Sequence, residues 1–215
     1  HDWVDTDLIQ PLAKDTPFIV ENGLSGQFIV LYAGNLGLSQ GLETILTAAQ
    51  NITSQPDVLF LFVGDGSGRN QLEKEVETRQ LSNVRFLPFQ PRERLPQVLA
   101  SAAVSLVILK KGIGFDSIPS KIWSILASSR PLVISVDEGC EAWNIIQQSH
   151  AGLCVPPEDP SELAQAILTL KKDSELRRKM GENGRIWALE HHSPQAAAQI
   201  FENLFRSLLS SHQNA

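Results

Sequence analysis

Along the chain, short unbroken apolar runs alternate with longer stretches in which apolar residues recur at every third or fourth position. The runs are FIVLYAG from Phe28, VLFLFVG from Val58, VRFLPF from Val84, VSLVILK from Val104, PLVISV from Pro131 and AGLCVP from Ala151. Runs this apolar predict strands buried on both faces. Helical spacing between them predicts helices near 40–52, 68–80, 91–102, 119–128, 139–148 and 160–172. Strands alternating with helices predict βαβ units, and hence a doubly wound, parallel, Rossmann-like α/β sheet with helices on both faces. Beyond the last run, SELRRKMGENGRIWALEHHS and PQAAAQIFENLFRSLLSSH predict two closing helices. The opening residues hold Pro11, Pro17, Gly23 and Gly26 without a sustained period, and read as a linker with a short helix. The expected division is a linker over 1–26, the sheet domain over 27–192 and a terminal helix over 193–215.

In such sheets ligands bind beyond the carboxyl ends of the strands, and three of those ends carry candidate chemistry. In GFDSIPSKIWSILASSRPLVIS, Ile118, Ile122, Ile125 and Leu126 share a helical face and Pro119 suits a first turn. Lys121 then sets a cation at the positive end of the helix dipole, where an anion is preferred by about 0.3–1 kcal/mol. A bound phosphate held by helix N–H groups, the Ser120 hydroxyl and Lys121 would make that arrangement favourable. A solvated lysine on an ordinary helix is the alternative, and the same choice holds for Lys110 and Lys111 upstream.

The second end, YAGNLGLSQG, places Gly34, Gly37 and Gly41 between a strand and a helix, where backbone N–H groups can approach a ligand. Its spacing is not G-x-G-x-x-G, and a plain tight turn also explains it. The third, FVGDGSGRNQLEKEV, carries Gly64, Gly66 and Gly68. It is similar to the glycine loop of S-adenosylmethionine-dependent methyltransferases. That reading needs an acidic residue closing the next strand, and VRFLPF supplies none. A turn with Asp65 capping the following helix is the other reading.

Composition narrows the partners. A chain of 215 residues, 42% hydrophobic, suffices for one full α/β domain but not for a second. A net charge of -6 without Lys/Arg-rich runs argues against nucleic acid. Cys140 and Cys154 lack metal-ligand or CxxC spacing and read as reduced and buried, in a cytoplasmic protein. No run of 18 apolar residues or signal peptide is present. The chain opens HDWVDTDLIQPL and holds a single methionine, Met180, so it is expected to be part of a longer protein.

Taken in order, six segments resemble the C-terminal, donor-binding domain of GT-B-fold glycosyltransferases, especially the retaining family 4 enzymes of bacterial exopolysaccharide synthesis. WVDTDLIQP is similar to the N-x-V-D-x-x-x-F-x-P lead-in of that domain, LYAGNLGLSQGLETIL to its first strand, turn and helix, and FLFVGDGSGRNQLE to the next unit. NVRFLPFQPRERLPQVLASAAVSLVIL, SIPSKIWSILASSRPLVIS and AGLCVPPEDPSELAQAI with RRKMGENGR continue the resemblance.

The resemblance implies one half of a two-domain fold, with the active site in the cleft and an absent N-terminal domain holding the acceptor, a saccharide or lipid-linked sugar. The donor would be a nucleotide-diphosphate sugar. Its sugar would pass to an acceptor hydroxyl, with no further cofactor and no metal. The full protein would be cytoplasmic, or peripheral to the inner face of the membrane. The diphosphate would lie against Gly34, Asn35, Gly37, Ser120 and Lys121, with Asp116 and Lys121 serving the reaction. The nucleoside would lie against Gly64, Leu87, Phe89 and Ser124, with Phe86 as a second stacking candidate. Glu138 and Glu141 are weaker ligand candidates.

Departures are visible too. Relatives in the family carry two glutamates eight positions apart, where this chain has Asp116 and Ser124. They often carry arginine and lysine in the first loop, where Asn35 and Gln40 stand here. The terminal helix would cross toward the absent domain with Phe201, Leu204 and Phe205. A methyltransferase, or a non-catalytic nucleotide-binding domain of the same fold, are the alternatives.

Overall fold

The apolar runs assemble into a single sheet. In the computed structural model, which describes residues 2–116 and 118–212, six parallel strands stand in the order β3-β2-β1-β4-β5-β6. They are β1 (Phe28–Ala33), β2 (Val58–Val63), β3 (Val84–Leu87), β4 (Val104–Ile108), β5 (Leu132–Ser135) and β6 (Gly152–Val155). Leu31 lies opposite Leu61 on one side and Ser105 on the other. The chain winds outward from β1 to β3, then crosses back to lay β4 on the other side of β1. That reversal makes the β1/β4 junction the topological switch point, where open α/β sheets bind ligands.

The helices are α1 (Pro17–Glu21), α2 (Glu43–Asn51), α3 (Arg69–Thr78), α4 (Leu95–Ser101), α5 (Lys121–Ala127), α6 (Glu141–Ser149), α7 (Pro160–Lys172), α8 (Ser174–His191) and α9 (Pro194–His212). Alternation along the strands feeds two cores. Ile29 and Leu31 join Val98, Leu99, Ile122 and Ile125 of α4 and α5. Val30, Tyr32, Phe60 and Phe62 join Ile45 and Leu46 of α2 and Ile167 of α7. Burying each of these larger apolar side chains contributes roughly 1.5–3 kcal/mol.

Four helices, α2, α4, α5 and α6, start two to four residues later than the apolar pattern predicts. The α5 region opens with a tight turn, in which the Ile122 N–H donates to the Pro119 carbonyl at 3.0 Å and the Trp123 N–H to the Ser120 carbonyl at 3.3 Å. A short 3-10 turn over Arg92–Arg94 likewise precedes α4. The α7 start is capped as its sequence suggests: Asp159 accepts the Ser161 and Glu162 N–H groups, with Pro160 in the first turn.

The opening segment is woven into the domain. Val4, Ile9, Phe18, Ile19 and Leu24 are all buried in the core cluster shared with α4 and α5. The Arg185 guanidinium on α8 donates to the carbonyls of Ile9 at 2.8 Å, Thr6 at 3.3 Å and Ala127 at 2.9 Å. It thereby ties the chain start to the end of α5. Both cysteines are free, Cys140 buried and Cys154 half-buried. Along α9, Ile200, Phe201, Leu204, Phe205, Leu208 and Leu209 stand exposed; residues 213–215 lie outside the described residues.

Candidate functional site

At the switch point a cavity of about 300 Å³ opens between α4 and α5. Leu31, Val63, Val98, Leu99 and Ile125 form apolar walls, Gln90, Arg92, Lys121 and Ser124 supply polar groups, and Phe89 and Gly34 also border it. Ser105 also lines it, opposite Leu31 of β1, and among the described residues its buried hydroxyl has no hydrogen-bond partner.

Lys121 enters this space from the first turn of α5. Its ammonium passes over the end of the sheet and rests 3.8 Å from the Tyr32 ring centroid, on the other face of β1. The passage is open because residue 34 is glycine: a Cβ there would stand 3.1 Å from Lys121 Nζ and 3.4 Å from Cε. Burial pushes the Lys121 ammonium down from 10.5 to about 8, with no neighbouring charge among the causes. Among the described residues no carboxylate forms an ion pair with it. A cation held this way is available to an incoming anion.

The two glycine loops differ in what they face. Gly34 lines the cavity. Gly64 stands behind it, so close that a Cβ on Gly64 would overlap the Gly34 carbonyl oxygen. Backbone bonds join the loops: the Gly34 N–H donates to Val63 O at 2.9 Å, Leu36 N–H to Asp65 O at 2.8 Å and Gly68 N–H to Leu36 O at 2.8 Å. The glycines of VGDGSG therefore serve close backbone packing. Asp65 accepts the adjacent Gly66 N–H at 2.8 Å and does not cap α3, whose N-cap is Gly68.

The residues singled out from the sequence fall into three groups. Gly34, Phe89, Lys121 and Ser124 meet at the cavity, and the Ser124 hydroxyl donates to the Lys121 carbonyl at 3.0 Å. Asn35 is exposed on the first loop, its amide packed against Gly37, while Gly64 and Leu87 lie behind that loop, bonded to each other. Ser120 is exposed and borders a second, adjoining cavity of about 290 Å³ with Asp2, Trp3, Trp123 and Ser124, the last of which lines both cavities.

Asp116 is exposed on the segment after β4. Asp137 braces that segment by accepting the Gly112 N–H at 2.8 Å and the Gly114 N–H at 3.2 Å. The two aromatic candidates also part. Phe86 stacks on Phe62 with centroids 4.8 Å apart, as a packing residue, whereas Phe89 is 68% exposed at the cavity. Glu138 and Glu141 are exposed, and Glu43 already supplies an acid to the first turn of α2. His192 lies at the C-terminal end of α8. It stacks on Trp123 at 3.6 Å, and burial lowers its pKa from the ordinary 6.5.

Tyr32, Arg92, Ser105 and Asp137 escaped the sequence reading. Tyr32 looked like one more apolar strand residue. Ser105, a polar break in VSLVI, carried a usable signal.

The model of the family described as Glycosyl transferases group 1 matches residues 15–187. A putative colanic acid biosynthesis glycosyl transferase, WcaI, of Escherichia coli K12 is 34% identical over 72% of this chain and 39% of its own length. A probable glycosyltransferase, WbjE, of Pseudomonas aeruginosa is 31% identical over 72% of this chain and 38% of its own. The chain thus spans about two-fifths of these relatives. Among solved structures, the Anabaena HepE protein in complex with UDP-glucose superposes with a TM-score of 0.79 at 21% identity, over 95% of this chain and 56% of that one. At that identity the likeness speaks to the fold, a half of which this sheet reproduces.

Proposed function

The chain belongs to the Glycosyl transferases group 1 family, and from that premise we propose that it is the donor-binding half of a retaining glycosyltransferase. The observation that carries this reading is the Lys121 ammonium beside Gly34 at the switch-point cavity, without a carboxylate partner. A sugar nucleotide matches that cavity chemically. Its diphosphate meets Lys121 and the backbone of the Gly34–Gly37 loop with Asn35. Its base lies toward Leu87–Gln90 with Phe89 against the ring, and its ribose lies near Ser124. A structural neighbour in complex with UDP-glucose supports a nucleotide-sugar ligand.

In the reaction, the bond from the anomeric carbon to the diphosphate oxygen breaks, a bond to an acceptor hydroxyl oxygen forms, and the hydroxyl proton passes to the departing diphosphate. Negative charge grows on the leaving diphosphate. Lys121 stabilises it in a partly dehydrated setting, where a fixed positive charge acts more strongly than in water. Asp116, exposed on the segment that Asp137 braces after β4, would contact a sugar hydroxyl. Ser120 belongs to this site only if the ligand reaches past α5.

The acceptor, a saccharide or lipid-linked sugar, falls to a part of the protein outside this chain. The apolar face of α9 would pack against that part, and residues 27–192, with the opening segment packed into their core, would hold the donor. The protein would work in the cytoplasm or at the inner membrane surface; among the described residues, no helix is long and apolar enough to cross a membrane. The methyltransferase alternative loses its basis, because the glycines that suggested it pack against the first loop.

The test is thermal unfolding of the chain with UDP, GDP, UDP-glucose, GDP-mannose and S-adenosylmethionine. A ligand at about 100 times its dissociation constant adds about 2.7 kcal/mol of stability. Stabilisation by one sugar nucleotide, lost in Lys121→Ala, is expected. A response to S-adenosylmethionine alone refutes the reading.

A further inference from the structure

Tyr32 touches both halves of the candidate site. Strand alternation sends its ring to the α2 side of the sheet, whereas α5 packs on the other side. The Lys121 ammonium nevertheless crosses the strand end and lies 3.8 Å over that ring. The ring itself is fully buried, with Phe62 at 5.9 Å, and its hydroxyl donates to the Asn35 carbonyl at 3.0 Å. One side chain therefore bonds the glycine loop and faces the cation.

We propose that Tyr32 is a positioning residue for the donor diphosphate: its π-face holds the Nζ of Lys121, which lines the cavity, while its hydroxyl fixes the first glycine loop at Asn35. The proposal rests on the donor reading above. Its logic is electrostatic. A buried ammonium needs something that favours its charged form. A carboxylate would do so but would cancel the charge, and an incoming diphosphate would then have to displace it. The negative face of an aromatic ring favours the cation without neutralising it, so the site keeps its net positive charge before the ligand arrives. The hydroxyl bond also couples ring orientation to the loop, which keeps the two phosphate-facing elements in one register.

The test uses the 215-residue chain, Tyr32→Phe, Tyr32→Leu and Lys121→Ala, the sugar nucleotide that stabilises the wild-type chain most, and its parent nucleoside. In the wild-type NMR spectrum, the ε-methylene of Lys121, identified by its loss in Lys121→Ala, should be shifted upfield by the ring. Tyr32→Phe should keep that shift and Tyr32→Leu should lose it. Affinity for the sugar nucleotide should fall roughly tenfold in Tyr32→Leu, and less in Tyr32→Phe, with nucleoside affinity unchanged in both. In a Lys121→Ala background, Tyr32→Leu should cost no more than Tyr32→Phe does in the wild-type chain, because only the loop contact is left to lose.

An unshifted ε-methylene in the wild-type chain overturns the proposal even if Tyr32→Leu fails to fold. Equal weakening of nucleoside and sugar nucleotide, or additive effects with Lys121→Ala, overturns it as well, leaving Tyr32 a core residue only. A wild-type chain that no sugar nucleotide stabilises overturns the donor reading and this proposal together. Binding by wild type with unchanged affinity in Tyr32→Leu overturns this proposal alone.

Discussion

The loops that follow β1 and β2 look alike in sequence and do different work. Each leaves a parallel strand, turns on several glycines and leads into a helix. The Gly34 loop borders the cavity and gives Lys121 its path. The Gly64 loop never reaches the cavity lining; it presses its backbone against the first loop from behind. Glycine in the first position makes room for the Lys121 side chain, and glycine in the second makes room for another main chain. Glycine-rich turns at strand ends therefore mark close approach, and the neighbour decides what approaches.

The sharpest way to break that contrast is Gly64→Ala. The new methyl would collide with main chain, which cannot swing aside, at a φ of +155° that suits glycine. A loss of about 3 kcal/mol in unfolding free energy is expected, read by denaturant titration. An effect under 1 kcal/mol would mean that the loops do not brace each other.

Lys121→Ala comes next, with the opposite profile. It should lower sugar-nucleotide affinity by about 10–100-fold, the value of a charge-assisted contact. Stability should hold or rise, since a buried cation without a carboxylate is removed. Isothermal titration and thermal unfolding on one preparation separate the two effects.

A pH series sharpens the same point without mutation. Lys121 titrates at about 8 when folded and at 10.5 when free. The unfolded chain therefore holds this proton more tightly than the fold does. Below pH 8 both forms carry it, and the buried charge costs the fold its full penalty. As pH climbs from 8 toward 10.5, the folded lysine lets go first, and this residue's contribution to stability improves. Binding of a sugar diphosphate should move the other way, weakening as pH passes 8. Affinity that stays flat to pH 9.5, in a chain that still folds, would remove Lys121 from the site.

Gly34→Ala should cost less than Gly64→Ala, about 1–2 kcal/mol. The added methyl meets the flexible end of Lys121, which can withdraw, so the chain folds but binds its ligand more weakly. Smallest of all is Ser120→Ala. Ser120 is exposed on a different cavity, and neither stability nor affinity should move by more than about 0.5 kcal/mol. If Ser120→Ala matches Lys121→Ala in affinity, the two cavities form one binding surface.

How much of this was legible beforehand varies residue by residue. Lys121 stood out because a cation in a first turn contradicts the helix dipole, and local chemistry suffices to notice it. Phe89 and Phe86 could not be told apart, since both belong to one apolar run; only pairing with β2 turns Phe86 toward Phe62 and leaves Phe89 outside. Ser120 was grouped with Lys121 as its neighbour. The tight turn before α5 instead separates the two side chains between two cavities.

The opening segment shows the same limit. Its prolines and glycines conceal the spacing of Val4, Ile9, Phe18, Ile19 and Leu24, which become a core face only once the sheet exists to receive them. By itself the sequence determined the strands, the helices and the parallel winding, because hydrophobic period and turn chemistry act over a few residues. It also supplied the lysine and the glycines. The tertiary structure decided which glycine borders the cavity, and it brought the chain's single tyrosine to that lysine across the end of the sheet. Those outcomes depend on contacts between segments far apart in the chain, and no local pattern encodes them.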